Sequence, residues 1–401
     1  MLIHYIAAIV IVLLLCAPAA AQTLPTGPAR AFDGRLVAAG EVTATVGEAD
    51  ESAFFNYTDY EYNALRMVRL SVTAAWRPVD RLALVGEVRS ENFSDVRTYA
   101  AFVRVRPWRN RTFDIQAGRI PPTFGAFGRR AYGADNPLIG YPLAYQYLTS
   151  LRTDAVPASV EDLLRMRGRG WRTSFQVGSY YEGPGLPLVS AFRWDFGVQA
   201  RWETGPLEVA GAVTTGTLSN PRFTDDNGGR QLAGRIVLRP MTGLVLGASA
   251  ARGAWLSHAV SEYLPGGDYH QRAVGADVEY SRDHWVVRSE LVWSGWDLPY
   301  IGSARQTDVV SALAAHVEGR YRITPRIFVA ARADRLGFSR VQDEALQWLP
   351  WDAPVRRGEI AAGYYFQRNL VGRVAVQRNV RLGGGRVRHR TYVAGQLMFW
   401  F

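Results

Sequence analysis

The chain has 401 residues, of which 48% are hydrophobic, 12% aromatic and 20% charged. All 46 basic residues are arginine, since the sequence contains no lysine, and the formal net charge is +10. Abundant aromatic residues and moderate charge exclude a disordered chain. The shortness of the apolar runs excludes a bundle of transmembrane helices, which needs runs of about 20 residues. The single cysteine, Cys16, excludes an intrachain disulfide framework and a thiolate metal cluster.

The first 21 residues have the features of a secretory signal peptide. An apolar run spans residues 6–15, and Ala19, Ala20 and Ala21 precede Gln22. The run is too short for a transmembrane helix, and small residues before Gln22 suit a cleavage site. The sequence therefore predicts a cleaved signal at 1–21, followed by a short N-terminal segment at 22–34.

From residue 35 to 401 the chain repeats segments of about ten residues in which apolar and polar side chains alternate. One example is 231–239, where Leu232, Ile236 and Leu238 alternate with Arg235 and Arg239. A period of two predicts β-strands, and about ten tilted residues match the thickness of a bilayer core. The segment 35–401 is therefore predicted to be an all-β transmembrane barrel.

The connections between these segments are alternately short and long. Short connections such as 77–80, 240–243 and 323–325 are rich in residues that favour tight turns. Alternation of short turns and long loops is typical of an antiparallel transmembrane β-barrel, with the turns in the periplasm and the loops outside. Counting between the connections gives 16 strands, and a hidden pair within 120–170 would give 18. The segment 171–181 is assigned to a loop, because one added strand would invert the later alternation.

The two ends of the predicted strands carry further signals. Trp76, Trp108, Trp202, Trp285 and Tyr321 lie near short turns, as an interfacial aromatic belt requires. The chain ends in an alternating strand in which Phe401, Phe399 and Leu397 share one face. This strand resembles the C-terminal assembly signal of outer-membrane barrels. It implies recognition by the barrel-assembly machinery and contact with outer-membrane lipid.

The polar faces of the strands are expected to line the barrel lumen. Charged groups in mid-strand require water or partners, because unpaired burial costs several kcal/mol. We expect a water-filled lumen; the alternative is a barrel plugged by its own salt bridges. The predicted wall residues are Arg104, Asp114, Arg193, Asp195, Arg235, Arg288, Glu290 and Glu318.

One connection, at about 120–189, is far longer than the others and too apolar to extend into water. We expect it to fold into the barrel, with Ser159 and Asp162 capping a short helix. Its clustered cations predict a pore constriction that sets ion preference, as charged rings do in channels. An external lid held by salt bridges is the alternative. The predicted constriction residues are Arg129, Arg130, Arg165, Arg167 and Arg169.

The architecture resembles that of general bacterial porins. In addition, residues 117–125, Ala-Gly-Arg-Ile-Pro-Pro-Thr-Phe-Gly, are similar to a Gly-basic-x-basic-Pro-Pro-Phe-Gly segment of phosphate-selective (O/P-type) porins, with Ile120 and Thr123 as departures. The resemblance implies passive diffusion of small solutes through the outer membrane of a Gram-negative bacterium. It is compatible with ion transport, with an anion preference and with a homotrimer.

Other functions are weighed against this porin hypothesis. The sequence contains no P-loop, H-E-x-x-H or G-x-S-x-G motif, and we expect no enzyme, cofactor or metal site. The enzyme alternative is a barrel lipase or protease, and the structural alternative is a non-conducting adhesin or scaffold. The basic charge could suit nucleic acid, but export and alternating strands argue against that partner.

Overall fold

The computed structural model describes residues 27–50, 55–58, 62–108, 112–130, 133–191, 194–222, 225–264, 269–299, 309–383 and 386–401. The predicted signal peptide at 1–21 lies outside these residues. Residues 29–31 of the predicted N-terminal segment form a short strand that pairs antiparallel with residues 36–38. Within the described residues, no helix is long and apolar enough to cross a membrane.

Sixteen antiparallel strands form one closed barrel, which confirms the predicted fold class and strand number. Each strand pairs with its neighbours in chain order, and the last strand pairs with the first. The strands are β1 Leu36–Gly47, β2 Met67–Val79, β3 Leu82–Glu91, β4 Arg97–Val105, β5 Thr112–Ile120, β6 Asp195–Thr204, β7 Leu207–Thr214, β8 Gln231–Met241, β9 Leu244–Ala254, β10 His270–Arg282, β11 Trp285–Asp297, β12 Val309–Arg322, β13 Ile327–Phe338, β14 Val355–Gln367, β15 Leu370–Gly383 and β16 Arg386–Trp400.

The barrel closes through its last residues. In β16, Phe399 faces Val42 and Leu397 faces Ala44 of β1. Phe401 adds a pair of backbone hydrogen bonds with Gly40, at 3.0 and 3.1 Å. The C-terminal residues with the assembly-signal pattern are therefore also the residues that complete the closing seam.

The strand faces alternate as the sequence predicts. In β8, Ile236 is 53% exposed on the outer wall, whereas Arg235 is 7% exposed and points inward. Trp76, Trp108, Trp202 and Trp285 are half exposed near the short turns, where an interfacial belt is expected. The outer wall is thus largely apolar, and inward charged positions such as Arg235 line the interior of the barrel.

The long connection between β5 and β6 covers residues 121–194, slightly longer than predicted, and folds into the barrel. Its helices are short: a 3₁₀ turn at Phe127–Arg130, α1 at Leu143–Gln146, α2 at Val160–Arg165 and a 3₁₀ turn at Gly170–Arg172. Ser159 caps α2 by accepting a hydrogen bond from the Asp162 amide at 3.2 Å, which confirms the predicted cap. A further helix, α3, spans His258–Ser261 in another loop.

Small strands complete the loops. Ala155–Val156 pairs with Val177–Gly178 inside the long connection, and Arg340–Gln342 pairs with Trp348–Pro350 between β13 and β14. Residues 171–181 contribute no strand to the barrel, in agreement with their assignment to a loop. Between β15 and β16, Gly383 pairs with Arg386, so both strands extend to this connection and leave no long loop there.

Candidate functional site

A ladder of alternating charges lines one side of the lumen. Arg288 lies between Glu279 at 2.8 Å and Glu318 at 3.5 Å, and Arg332 contacts Glu318 at 3.4 Å and Glu359 at 2.9 Å. These residues come from five consecutive strands, β10 to β14, whose inward positions stand at matching heights. Each charge of the ladder therefore has an oppositely charged partner, as burial of ion pairs requires.

The wall also binds the backbone of the long loop. The Glu359 carboxylate accepts hydrogen bonds from the amides of Ile139 and Gly140 at 3.0 and 2.8 Å. From the same wall, Arg357 donates to the Tyr141 carbonyl at 2.8 Å and Arg373 to the Gly133 carbonyl at 2.6 Å. Wall charges of both signs therefore hold irregular backbone that the lumen would otherwise leave without partners.

The apolar residues of the loop fill the space between these anchors. Phe124, Leu138, Leu143 and Tyr145 are all almost fully buried. Glu290, Glu318 and Arg332 of the wall are buried with them. The expected water-filled lumen is therefore wrong for this part of the barrel, where the salt-bridged alternative applies.

The segment with the porin resemblance carries the chain from the wall into the lumen. It starts in β5 and leaves the barrel after Ile120, where two prolines prevent further strand pairing. Gly125 has a φ of +70°, and its amide donates to the Ser249 hydroxyl at 3.1 Å. An added Cβ at Gly125 would lie 2.4 Å from the Tyr145 hydroxyl oxygen, so this position requires glycine.

A cationic cavity of about 470 Å³ lies at the long-loop end of the barrel. We call it the cationic cup. Among the described residues, six arginines and one carboxylate, Glu182, line it. The arginines are Arg165, Arg167, Arg169 and Arg172 from the long loop, with Arg381 and Arg388 from the paired ends of β15 and β16.

Buried side chains lie next to the cup at Arg381. The Arg381 guanidinium lies over the Phe55 ring, 5.3 Å from its centroid, and Phe55 and Tyr147 are buried. Beside them, the buried Asp352 carboxylate accepts hydrogen bonds from the amides of Ser150 and Gly168, both at 2.7 Å. Burial raises the pKa of Asp352 to about 6, although these hydrogen bonds favour the charged form.

The predicted constriction residues fall into two groups. Arg165, Arg167 and Arg169 meet in the cup, where Arg165 also pairs with Asp162 at 2.6 Å. Arg130 lies elsewhere, inside the barrel and paired with Glu279 of the wall. Arg129 belongs to the same 3₁₀ turn as Arg130, and its side chain lies outside the described part of the structure. The structure thus brings three of the five together.

The described wall residues all point inward, but they have different tasks. Arg104 pairs with Asp114 at 2.7 Å, and Arg235 pairs with Asp277 at 2.6 Å. Asp195 accepts from the amides of Gly216 and Arg222, at 3.0 and 2.9 Å, and so orders a loop instead of lining a pore. Arg193 lies outside the described residues.

Several residues of this site are not among those predicted from the sequence. Arg357 and Glu359 occupy alternate positions of β14 on the inward face, and the period-two pattern was sufficient to find them. Arg381 and Arg388 are direct cross-strand partners. Their pairing, and with it their place in the cup, depended on a register that was not predicted.

Comparison with known proteins places this barrel among the porin folds. By sequence, the chain matches no protein-family profile and no curated protein. By structure, it is similar to the trimer form of in-vitro folded OmpT, an outer membrane protein of Vibrio cholerae, with a TM-score of 0.56, 10% identity, and coverage of 91% of this chain and 99% of that chain. It is also similar to an anion-selective porin from Comamonas acidovorans, with a TM-score of 0.52, 10% identity, and coverage of 91% and 99%.

A third similar structure is Salmonella typhi OmpF in complex with daunomycin, with a TM-score of 0.52, 14% identity, and coverage of 91% of this chain and 97% of that chain. At such identities the similarity shows the fold alone. The same comparison contradicts the expectation that the chain is not an enzyme, and that expectation is wrong. OmpT barrels are matched along with porins, and a fold shared by so many barrels does not define the chemistry of one of them. What the comparison establishes is a barrel with the fold of outer-membrane porins.

Proposed function

We propose that this protein is an outer-membrane channel for small solutes that prefers anions, with the cationic cup as its outer capture site. The observation that carries the proposal is the lining of the 470 Å³ cup, to which the described part of the chain contributes six arginines and one carboxylate. The cup lies at the long-loop end, which faces outward in transmembrane barrels. Solutes arriving from outside would meet this charge first.

The chemistry of the cup favours oxyanions such as phosphate. Guanidinium groups bind phosphate and carboxylate oxygens with two parallel hydrogen bonds. They also keep their proton at every ordinary pH. A concentrated positive field raises the local concentration of anions and their rate of entry. The resemblance of 117–125 to phosphate-selective porins supports the same class of solute.

The loop between β5 and β6 would act as the gate of this channel. It occupies the lumen and binds wall side chains such as Glu359 and Arg373 through its backbone. Passage of a solute would therefore require the loop to move away from part of the wall. The partly exposed charges at the short-turn end, including Arg104 and Glu279, would form the periplasmic exit.

The membrane placement belongs to the same proposal. The predicted signal at 1–21 would export the chain, and the β16 terminus would be recognised by the barrel-assembly machinery. The apolar outer wall would contact outer-membrane lipid. The matched OmpT structure includes a trimer form, and we propose a homotrimer as the assembly of this chain as well.

The filled lumen favours a second candidate, a non-conducting barrel that serves as an adhesin or scaffold. The burial of Glu290, Glu318 and Arg332 beneath the loop is the specific observation behind it. Solute flux separates the two candidates directly. A channel must conduct when its loop opens, whereas the function of a scaffold does not require the loop to open.

The test is planar-bilayer conductance with reversal potentials measured in asymmetric KCl. The triple variant R165Q/R167Q/R169Q should lower the anion-to-cation permeability ratio, because it removes three cup cations. R129Q/R130Q tests the other two predicted arginines separately, and the five-fold variant combines both sets. The matched control R282Q/R322Q/R326Q removes three exposed arginines near the short turns and should leave the ratio near its parental value.

Each outcome has a defined meaning. An unchanged reversal potential in the five-fold variant would show that the loop arginines do not set selectivity, and wall charges would replace them in the proposal. No conductance in either the parent or a loop-deleted barrel that folds would reject the channel and favour the scaffold. Phosphate that blocks chloride current in the parent, and less so in the triple variant, would support capture in the cup.

A further inference from the structure

The outer wall of the barrel carries a groove of about 1090 Å³ across β11 to β15. Small residues form its bed, including Gly319, Ala331, Ala333, Gly358 and Ala362. An added Cβ at Gly319 or at Gly358 would have no atom within 4 Å. The groove therefore exists because these outward positions carry glycine or alanine, whereas comparable positions elsewhere on the wall carry large side chains.

The groove extends along β14 as well as across the neighbouring strands. From Gly358 to Ala362 the chain advances roughly 13 Å along β14. Trp285 and Tyr321 border the groove toward the short turns, and Arg378 borders it on the opposite side. An apolar groove that ends at an arginine matches a lipid molecule, which has an apolar chain at one end and a polar headgroup at the other.

Arg378 belongs to a cluster of three outward arginines. Arg335 of β13 is the direct cross-strand partner of Arg356 of β14. Arg378 lies opposite Gly358, two positions from Arg356 on the same face. All three side chains are exposed, and Arg335 and Arg356 lie close to the long-loop ends of their strands.

The cluster has no internal neutralisation. In the part of the chain that the structure describes, no carboxylate lies within 4.0 Å of these three guanidinium groups. Like charges directly opposite one another destabilise a sheet. A different outward pair, Arg252 and Arg272 on β9 and β10, provides a contrast, because Arg272 contacts Asp297 at 3.0 Å.

We propose that the groove and the cluster together form a binding site for an anionic membrane lipid. Its phosphate would contact Arg335, Arg356 and Arg378, and an acyl chain would lie in the groove below. Charge complementarity selects this occupant, because a phosphate supplies the anion that the wall lacks and guanidinium groups bind phosphate oxygens well. The site requires only a membrane-spanning barrel, and it is separate from the channel function.

The headgroup is tested by native mass spectrometry of the folded barrel in neutral detergent, titrated with dimyristoyl phosphatidylglycerol or dimyristoyl phosphatidylcholine. The parent should bind one phosphatidylglycerol more tightly than any phosphatidylcholine. R335Q/R356Q should weaken that first binding event by about 25-fold, since each basic residue near an anionic lipid contributes about fivefold. R252Q/R272Q, a cross-strand arginine pair outside the lining of this groove, should leave the first event unchanged.

The groove is tested by filling it. G319L/G358L should weaken binding of the dimyristoyl lipid, because leucine side chains would occupy the bed. G86L/G211L is the matched control, since both glycines also have open space for a Cβ but lie on other strands. Inorganic phosphate at millimolar concentration should not displace the lipid, because the chain supplies part of the affinity.

Three results would overturn the proposal. The first is equal affinity of R335Q/R356Q and R252Q/R272Q, and the second is displacement by phosphate alone. The third is a disulfide between two copies through G358C in vesicles, which would identify a second copy as the occupant. Heat-modifiable gel mobility of every variant verifies that each barrel is folded. Conductance measured on the same samples tests the channel proposal separately, so that failure of one proposal can be distinguished from failure of the other.

Discussion

At the residue scale, Asp352 makes the stability of the outer loops depend on pH. It is buried, it accepts hydrogen bonds from Ser150 and Gly168 of the long loop, and its pKa is raised to about 6 by burial. A carboxyl group that binds its proton more tightly in the folded state favours folding below its unfolded pKa, near 3.8. That stabilisation is lost as the pH rises from about 4 to about 6.

We therefore expect the anchoring of the long loop to be stronger at pH 4 than at pH 7. The full effect is about 3 kcal/mol, from a pKa difference of about two units. Hydrogen exchange of peptides covering 148–170, corrected for intrinsic rates, measures it. D352N carries no titrating group and should flatten this pH dependence. The same pH dependence in D352N would contradict the assignment to Asp352.

A second prediction at this scale concerns the lipid-facing side of β8. Ile236 lies on the outer wall near the middle of the strand, whereas Leu232 lies on the same face close to the long-loop end. I236R should lower the free energy of unfolding by roughly 2–4 kcal/mol, and L232R by only about 0–1 kcal/mol, since the cost of a charge depends on depth. Urea unfolding in vesicles provides the measurement. Equal costs would contradict the depth assignment of the strand.

At the element scale, the long loop holds the lumen closed through a small number of anchors. Ala126 donates to Glu290 at 2.8 Å and Tyr145 donates to the same carboxylate at 2.7 Å. Gly125 lies against both partners, with a positive φ. One added side chain at this position would therefore disturb two hydrogen bonds and the entry of the loop into the barrel.

We expect G125V to raise single-channel conductance, because valine cannot occupy this position without displacing the loop. Deletion of much of 125–165 should raise conductance further. G234A is the control, since its added Cβ would be 3.8 Å from the nearest atom. Parental conductance in both the loop deletion and G125V would show that the loop does not limit passage.

At the scale of the whole molecule, the barrel depends on the seam between β1 and β16. Phe401 provides the last pair of backbone hydrogen bonds of this seam, and its ring packs against Gly40. Deletion of Phe401 should impair assembly, because it removes both the closing contact and the terminal aromatic residue. A heat-modifiable gel shift of outer-membrane fractions measures the folded fraction. A full yield of folded barrel without Phe401 would refute this role.

The sequence alone determined the barrel. Strand periodicity specifies which side chains face lipid, because successive residues of a strand point to opposite sides. It placed Ile236 outside and Arg235 inside, and it marked the residues that close the seam. The length and the apolar content of the connection at about 120–189 also indicated an inward fold. These features are local, so neighbouring residues are sufficient to define them.

Only the tertiary structure decided what the lumen contains. Periodicity assigns Glu290 and Glu318 to the inside, but it cannot distinguish a charge facing water from a charge facing loop backbone. The same holds for Arg381 and Arg388, which meet Arg167 and Arg169 in the cup only after strand register and loop path are fixed. Burial and pairing in a lumen depend on contacts between residues far apart in the chain, and a local pattern carries no information about them.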